Sequence, residues 1–109
     1  MALTHHFKHT VVARVQREPA FARALLDEAA TLFLNGEPET TRLILRDLVN
    51  GTIGFETLAA MTDTPSKSLR RMLAQKGNPS MDQLAAIVGA VRDKLNAGLK
   101  VRMVATTEG

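Results

Sequence analysis

The sequence predicts an all-α fold. Three observations lead there: apolar residues recur at three- and four-residue spacing along most of the chain, Gly or Pro interrupts them at helix-length intervals, and period-two alternation occurs in one short C-terminal stretch only. With 109 residues, 45% of them hydrophobic, the chain is expected to form a single domain, 1–109, around one core.

The elements follow in order. Phe7, Val11 and Val15, with Val12 alongside, form a stripe that ends before Pro19. Pro19 suits the first turn of a second helix, where a missing N–H costs nothing, and Phe21, Leu25, Ala29, Leu32 and Phe33 share one face of it. Asn35-Gly36 supplies a left-handed stop. Glu37-Pro38 opens a third helix, with Ile44, Leu45, Leu48 and Val49 inward, ending near Asn50-Gly51 or running on to Gly54. Phe55, Leu58 and Ala59 then mark a short helix broken at Thr62-Asp63. Thr64-Pro65 offers an N-cap and a proline for another short helix bearing Leu69, Met72 and Leu73. Gly77-Asn78-Pro79 closes that pair. Ser80 and Gln83 have the spacing of a capping box, ahead of a last helix with Leu84, Ile87, Val88, Val91 and Leu95 inward. After Asn96 to Gly98, Leu99, Val101 and Met103 alternate with Lys100 and Arg102, the pattern of a strand over 99–104. A lone strand needs a neighbour for its backbone groups. A second copy or another protein's sheet edge could provide one.

Composition narrows the function. There is no cysteine, so disulfides and thiolate metal sites are excluded. No apolar run reaches the roughly 20 residues of a membrane span, and no leader is evident; the expected location is the cytoplasm. The net charge of +3 is unevenly placed: residues 1–63 hold six Lys or Arg against eight Asp or Glu, and residues 64–109 hold eight against three. Between Asp63 and Asp82 no acidic residue occurs, while Lys67, Arg70, Arg71 and Lys76 all do, which suits a polyanionic partner. With neither Trp nor Tyr and only four Phe, base stacking of the kind used on single strands is disfavoured.

The segment FETLAAMTDTPSKSLRRMLAQKGNPSMDQLAAIV resembles the helix-turn-helix of the Xre/Cro repressor group. Leu58-Ala59 stands in the first helix, Thr62-Asp63-Thr64 in the turn, Ser66 to Ala74 in the basic second helix and Gly77 to Ser80 in the loop before a capped helix. The turn position most often filled by glycine is Asp63 here, and the apolar residue expected after it is Thr64; Asp tolerates a left-handed backbone better than most residues. Over residues 6–104 the chain looks like the HigA-type antitoxins and related addiction-module antidote proteins, on the FKHTVVARVQREPAF run, the LILRDLVNGTIGFETLA stretch and the Lys-Gly-Asn-Pro loop. The resemblance implies a five-helix lambda-repressor-like helix-turn-helix domain, with an N-terminal helical hairpin extension (6–36), a DNA-binding core (37–96) and a short C-terminal β-strand (99–104).

It also implies a function: sequence-specific binding of double-stranded DNA by a homodimeric transcriptional repressor. Such a protein would be the antitoxin of a toxin-antitoxin module, repressing its own operon and neutralising a RelE/HigB-like ribonuclease toxin. In a recognition helix the residues near the N-terminal end lie closest to base edges in a major groove about 12 Å wide. Ser66 and Lys67 hold that end, with Arg70 and Arg71 a turn later; Lys67 and Arg71 are the expected base readers. Thr57, Lys76 and Asn78, around the helix ends, suit phosphates. Leu99, Val101 and Met103 are assigned to dimer or partner pairing.

Other features carry less. His5, His6 and His9 lack the carboxylate or thiolate that would complete a zinc set, so no metal is expected. Asp27-Glu28 and Glu37 with Glu39 fall on polar helix faces or helix starts. With no nucleophile-base pair, no enzyme, cofactor or small-molecule substrate is expected. Met61, Met72 and Met81 are read as core and hinge packing. The alternatives are an orphan or prophage-type regulator without a toxin, and a partner-binding module that has lost DNA.

Overall fold

The computed structural model describes residues 2–107, with side chains described from residue 10 onward. The protein is all-helical: α1 (Ala2–Arg17), α2 (Pro19–Leu34), α3 (Pro38–Gly51), α4 (Phe55–Thr62), α5 (Ser66–Met72) and α6 (Met81–Lys94). Among the described residues no helix is long and apolar enough to cross a membrane. Pro19 and Pro38 open α2 and α3 at the positions expected of them, and Gly36, at φ 87°, makes the turn between these two helices. His5, His6, Phe7 and His9, read from the sequence as a possible metal pair and the start of a core stripe, have side chains outside the described residues.

One hydrophobic cluster joins the elements. Val15 of α1, Ala22, Leu26 and Ala29 of α2, and Leu45, Leu48 and Val49 of α3 are continuous with Phe55, Leu58, Leu69, Leu73, Ile87, Val91 and Leu95. The helices at 6–36 therefore share the core of the rest. The most extensive helix pair is α2 on α3, and α1 lies across both. Gly51 makes that crossing possible: a Cβ there would stand 2.6 Å from Val15 Cγ1, so any side chain would push α1 off the end of α3. Thr41, buried on α3, places its hydroxyl 2.9 Å from the Glu37 carbonyl oxygen and 3.2 Å from that of Ala29, satisfying the donor and tying α3 to α2.

Helix α6 is set by its own sequence. The Ser80 hydroxyl accepts from the Gln83 amide (3.1 Å) and the Ser80 amide donates to Gln83 Oε1 (2.8 Å), completing the expected capping box. At the other end Asn96 takes a left-handed backbone (φ 53°) and the Ala97 amide returns to the Arg92 carbonyl (3.1 Å).

Four expectations are corrected. Residues 37–96 hold four helices, α3 to α6, not five, because the chain between α5 and α6 is the loop from Leu73 to Ser80 and Asn96, left-handed at φ 53°, ends α6. No strand forms over 99–104: a strand is defined by the hydrogen bonds of its neighbour, and among the described residues no backbone-to-backbone bond reaches beyond Ala97. Thr64 does not cap α5. Pro65, expected as the first helical residue, is itself extended (φ −58°, ψ 140°) and takes the cap position, so the helix starts at Ser66, and the Thr64 hydroxyl donates to the Thr62 carbonyl (3.0 Å). Finally, Met61 and Met81 are exposed rather than packed, Met61 on the flank of α4 and Met81 at the start of α6 ahead of its buried stripe; Met72 is half-buried.

Candidate nucleic-acid interface

Helices α4 and α5 pack on one another across a three-residue connection, Asp63 to Pro65. Asp63 takes the left-handed conformation (φ 51°, ψ 42°) that turns the chain, and its amide returns to Ala59. The Thr64 amide bonds the same carbonyl at 3.1 Å, so the corner is closed by the backbone. Leu58 and Phe55 from α4 and Leu69 and Leu73 from α5 and its cap are buried beneath it, and the small Ala59 lies half-buried at the crossing.

With Leu69 and Leu73 fixed inward, the rest of α5 follows from helical geometry. Residues four apart lie only about 40° apart around the axis, so Lys67 and Arg71 share the face opposite the core and Arg70 flanks them. All three are exposed, and Ser66 is half-buried at the first position of the helix. Thr57 is exposed on α4; Lys76 and Asn78 are exposed on the loop from Leu73 to Ser80. That loop is drawn tightly against the end of α5. The Gly77 amide bonds the Ala74 carbonyl (2.9 Å), and a Cβ on Gly77 would overlap the carbonyl oxygens of Met72 and Arg71. The seven polar residues singled out in the sequence therefore fall on α4, α5 and the loop that follows, with Lys67, Arg70 and Arg71 exposed on α5.

The ion pairs among the described residues are Arg14 and Arg17 with Glu18 and Arg92 with Asp93, so none of them engages Lys67, Arg70, Arg71 or Lys76. Arg70 is held otherwise: its guanidinium carbon lies 4.5 Å from the centroid of the Phe55 ring at the start of α4. The sequence gives no sign of this contact, nor of the part played by Arg42, which reaches from α3 to the carbonyls of Ala74 and Gln75. Both link residues remote in sequence, and neither has a local pattern to announce it.

Leu99, Val101 and Met103 lie elsewhere. Leu99 and Val101 line an apolar groove of about 320 Å³ with Leu26, Phe33, Leu45, Leu84 and Val88, to which neither α4 nor α5 contributes. Exposure rises along the segment, from 38% at Leu99 to 66% at Val101 and 91% at Met103. Among the described residues no group of three His, Asp or Glu is placed to hold a metal.

Compared with protein-family models, with curated proteins and with solved structures, the chain matches none.

Proposed function

We propose that the protein is a sequence-specific double-stranded DNA-binding repressor in which α4 and α5 form a helix-turn-helix and α5 enters the major groove. The observation that carries this reading is the sidedness of α5: Leu69 is buried while Lys67, Arg70 and Arg71 stand exposed together, outside every ion pair among the described residues. Lys67 and Arg71 are assigned to base edges, where a two-pronged arginine-guanine contact contributes on the order of 1 to 3 kcal/mol of discrimination. Thr57, Lys76 and Asn78 are assigned to phosphates, and Ser66 to the groove-facing end of the helix.

One short helix reads few base pairs, so the protein acts as a homodimer on a palindrome with half-sites about 34 Å apart or a multiple of that. Its resemblance to the HigA-type antitoxins favours a role in a toxin-antitoxin module, where it represses its own operon and binds a RelE/HigB-like toxin. A partner-binding role in addition to DNA is favoured by the exposed apolar residues Phe33, Leu34, Met81, Val101, Met103 and Val104.

Gel shift with the DNA upstream of its own gene tests the reading. The wild type should give a specific band whose affinity falls steeply with salt, with a log-log slope of roughly −5 to −7 for a dimer making three or four phosphate contacts per copy. R70A/R71A should lose that band while keeping a wild-type circular dichroism spectrum. A band that survives the double substitution, or a shallow slope, counts against DNA reading; co-purification with the product of the adjacent frame tests the antitoxin role separately.

A further inference from the structure

Arg42 stands in the second turn of α3, half-buried, and its guanidinium spans to the chain just beyond α5. Nε donates to the Ala74 carbonyl at 3.1 Å and Nη2 to the Gln75 carbonyl at 2.6 Å. One turn earlier on α3, Glu39 Oε2 accepts from Gln75 Nε2 at 2.9 Å. Three hydrogen bonds thus join a single stretch of α3 to two consecutive residues, although α3 and α5 have no extensive helix-to-helix packing of their own.

The acceptors lie in the loop, one and two residues past Leu73, the C-cap of α5. Main-chain carbonyls outside a helical ladder need donors from elsewhere, and the guanidinium supplies them. The Ala74 carbonyl receives the Gly77 amide (2.9 Å) as well as Arg42, which uses both of its lone pairs. The planar guanidinium, with donors in fixed directions, matches two successive carbonyls as a flexible ammonium cannot.

At seven residues α5 is far too short to hold its own orientation. Leu69 anchors it against the core on its inner side, and α4 holds it at the turn. The C-terminal end is steadied from α3 by Arg42. We propose that Arg42, with Glu39 and Gln75, is a positioning residue for α5: without touching DNA itself, it fixes the pitch at which Lys67 and Arg71 are presented and thereby sets discrimination between operator and unrelated duplex. The role rests on the DNA-reading function proposed above. Groove contacts tolerate displacements of only about half an ångström and 10 to 20°, whereas phosphate attraction does not depend on such alignment.

The test compares wild type, R42A and R42K on the duplex upstream of the protein's own gene and on a scrambled duplex of the same composition. Affinities are measured by fluorescence anisotropy across a salt series, and amide exchange is followed at residues 73–77 without DNA. R42A should lower the ratio of specific to non-specific affinity by on the order of tenfold, equivalent to one misread base pair, with an unchanged salt slope and faster exchange at 73–77. R42K, which keeps the charge, should recover little of the ratio. A slope shallower by about one for each copy would make Arg42 a phosphate ligand and overturn the proposal; equal losses on both duplexes, tracking lower thermal stability, would reduce it to a fold-stabilising role. Exchange unchanged in R42A overturns the clamp alone. A wild type that prefers neither duplex overturns the DNA reading and, with it, this role, while the exchange data still report on the clamp.

Discussion

Arg70 of α5 lies over the ring of Phe55, the first residue of α4, with its guanidinium carbon 4.5 Å from the ring centroid. The ring is buried and the guanidinium exposed, so one face of the cation rests on the core while its edge donors remain available to an anion. This ties the basic helix to the helix before it by a contact that neither the turn nor the leucines supply, and it separates Arg70 from Lys67 and Arg71, for which no ring contact of this kind occurs among the described residues.

The strength of that contact can be isolated with a double-mutant cycle. Exposed cation-π pairs contribute about 0.5 to 1 kcal/mol, and a cycle removes the separate cost of shortening each side chain. F55L, R70A and the double variant, unfolded in urea, should give a coupling energy in that range. A coupling near zero would mean that the stacked arrangement does not persist in solution.

Two glycines are expected to respond to alanine with opposite signs. At Gly77 the added methyl meets the Met72 and Arg71 backbone carbonyls, which belong to the end of α5 and cannot step aside cheaply. Overpacking of this sort costs about 1 to 3 kcal/mol. At Gly89, inside α6, nothing lies within 4 Å of the place an added methyl would take, and replacing a helical glycine by alanine contributes roughly 0.5 to 1 kcal/mol of stability. Urea midpoints should therefore fall for G77A and rise for G89A; a midpoint that does not fall for G77A would refute the tight closure of the Gly77 loop, and one that does not rise for G89A the open space beside α6.

Ser80→Ala removes the hydroxyl that accepts the Gln83 amide and leaves that donor unpaired. A cap substitution of this kind costs about 1 kcal/mol. Because α6 carries Ile87 and Val91 into the core, the loss should appear in global unfolding, as a lower urea midpoint with an unchanged slope. S80D retains an acceptor at the same place and should recover most of it.

The contrast between these cases and the tail shows which features a single sequence can reveal. The starts at Pro19 and Pro38, the Ser80 and Gln83 box and the left-handed Asp63 are decided by residues within a few positions of one another, and the pattern of letters carries them. Thr64 departs from its expected capping role although the cause is local: Pro65 is extended rather than helical, takes the cap position itself and delays the helix to Ser66. The exposed side of α5 is legible because Leu69 and Leu73 fix its inner side. The Arg42 bridge to Ala74 and Gln75 is not, since its partners are main-chain carbonyls, which every residue possesses, brought together from 32 and 33 residues apart. Thr41 is a further case: nothing in its neighbourhood marks it as buried, and its place depends on how α2 lies against α3.

The segment 99–104 supplies the last prediction. Its alternating sequence suits a strand, yet among the described residues its backbone pairs with no other segment, and its apolar side chains become steadily more exposed from Leu99 to Met103. Leu99 and Val101 cover part of the groove formed by Leu26, Leu45, Leu84 and Val88. Because these two remain 38% and 66% exposed, their removal should cost a single chain about 1 to 3 kcal/mol on an area basis. Assembly is a different matter, since the same residues offer backbone donors and acceptors together with an apolar edge, the two components of strand pairing. Deletion of residues 99–109 should therefore leave the helical circular dichroism signal in place while converting the dimer proposed above to monomer in light scattering. A truncated protein that remains fully dimeric would place the contact between copies on another surface and release the segment from that role.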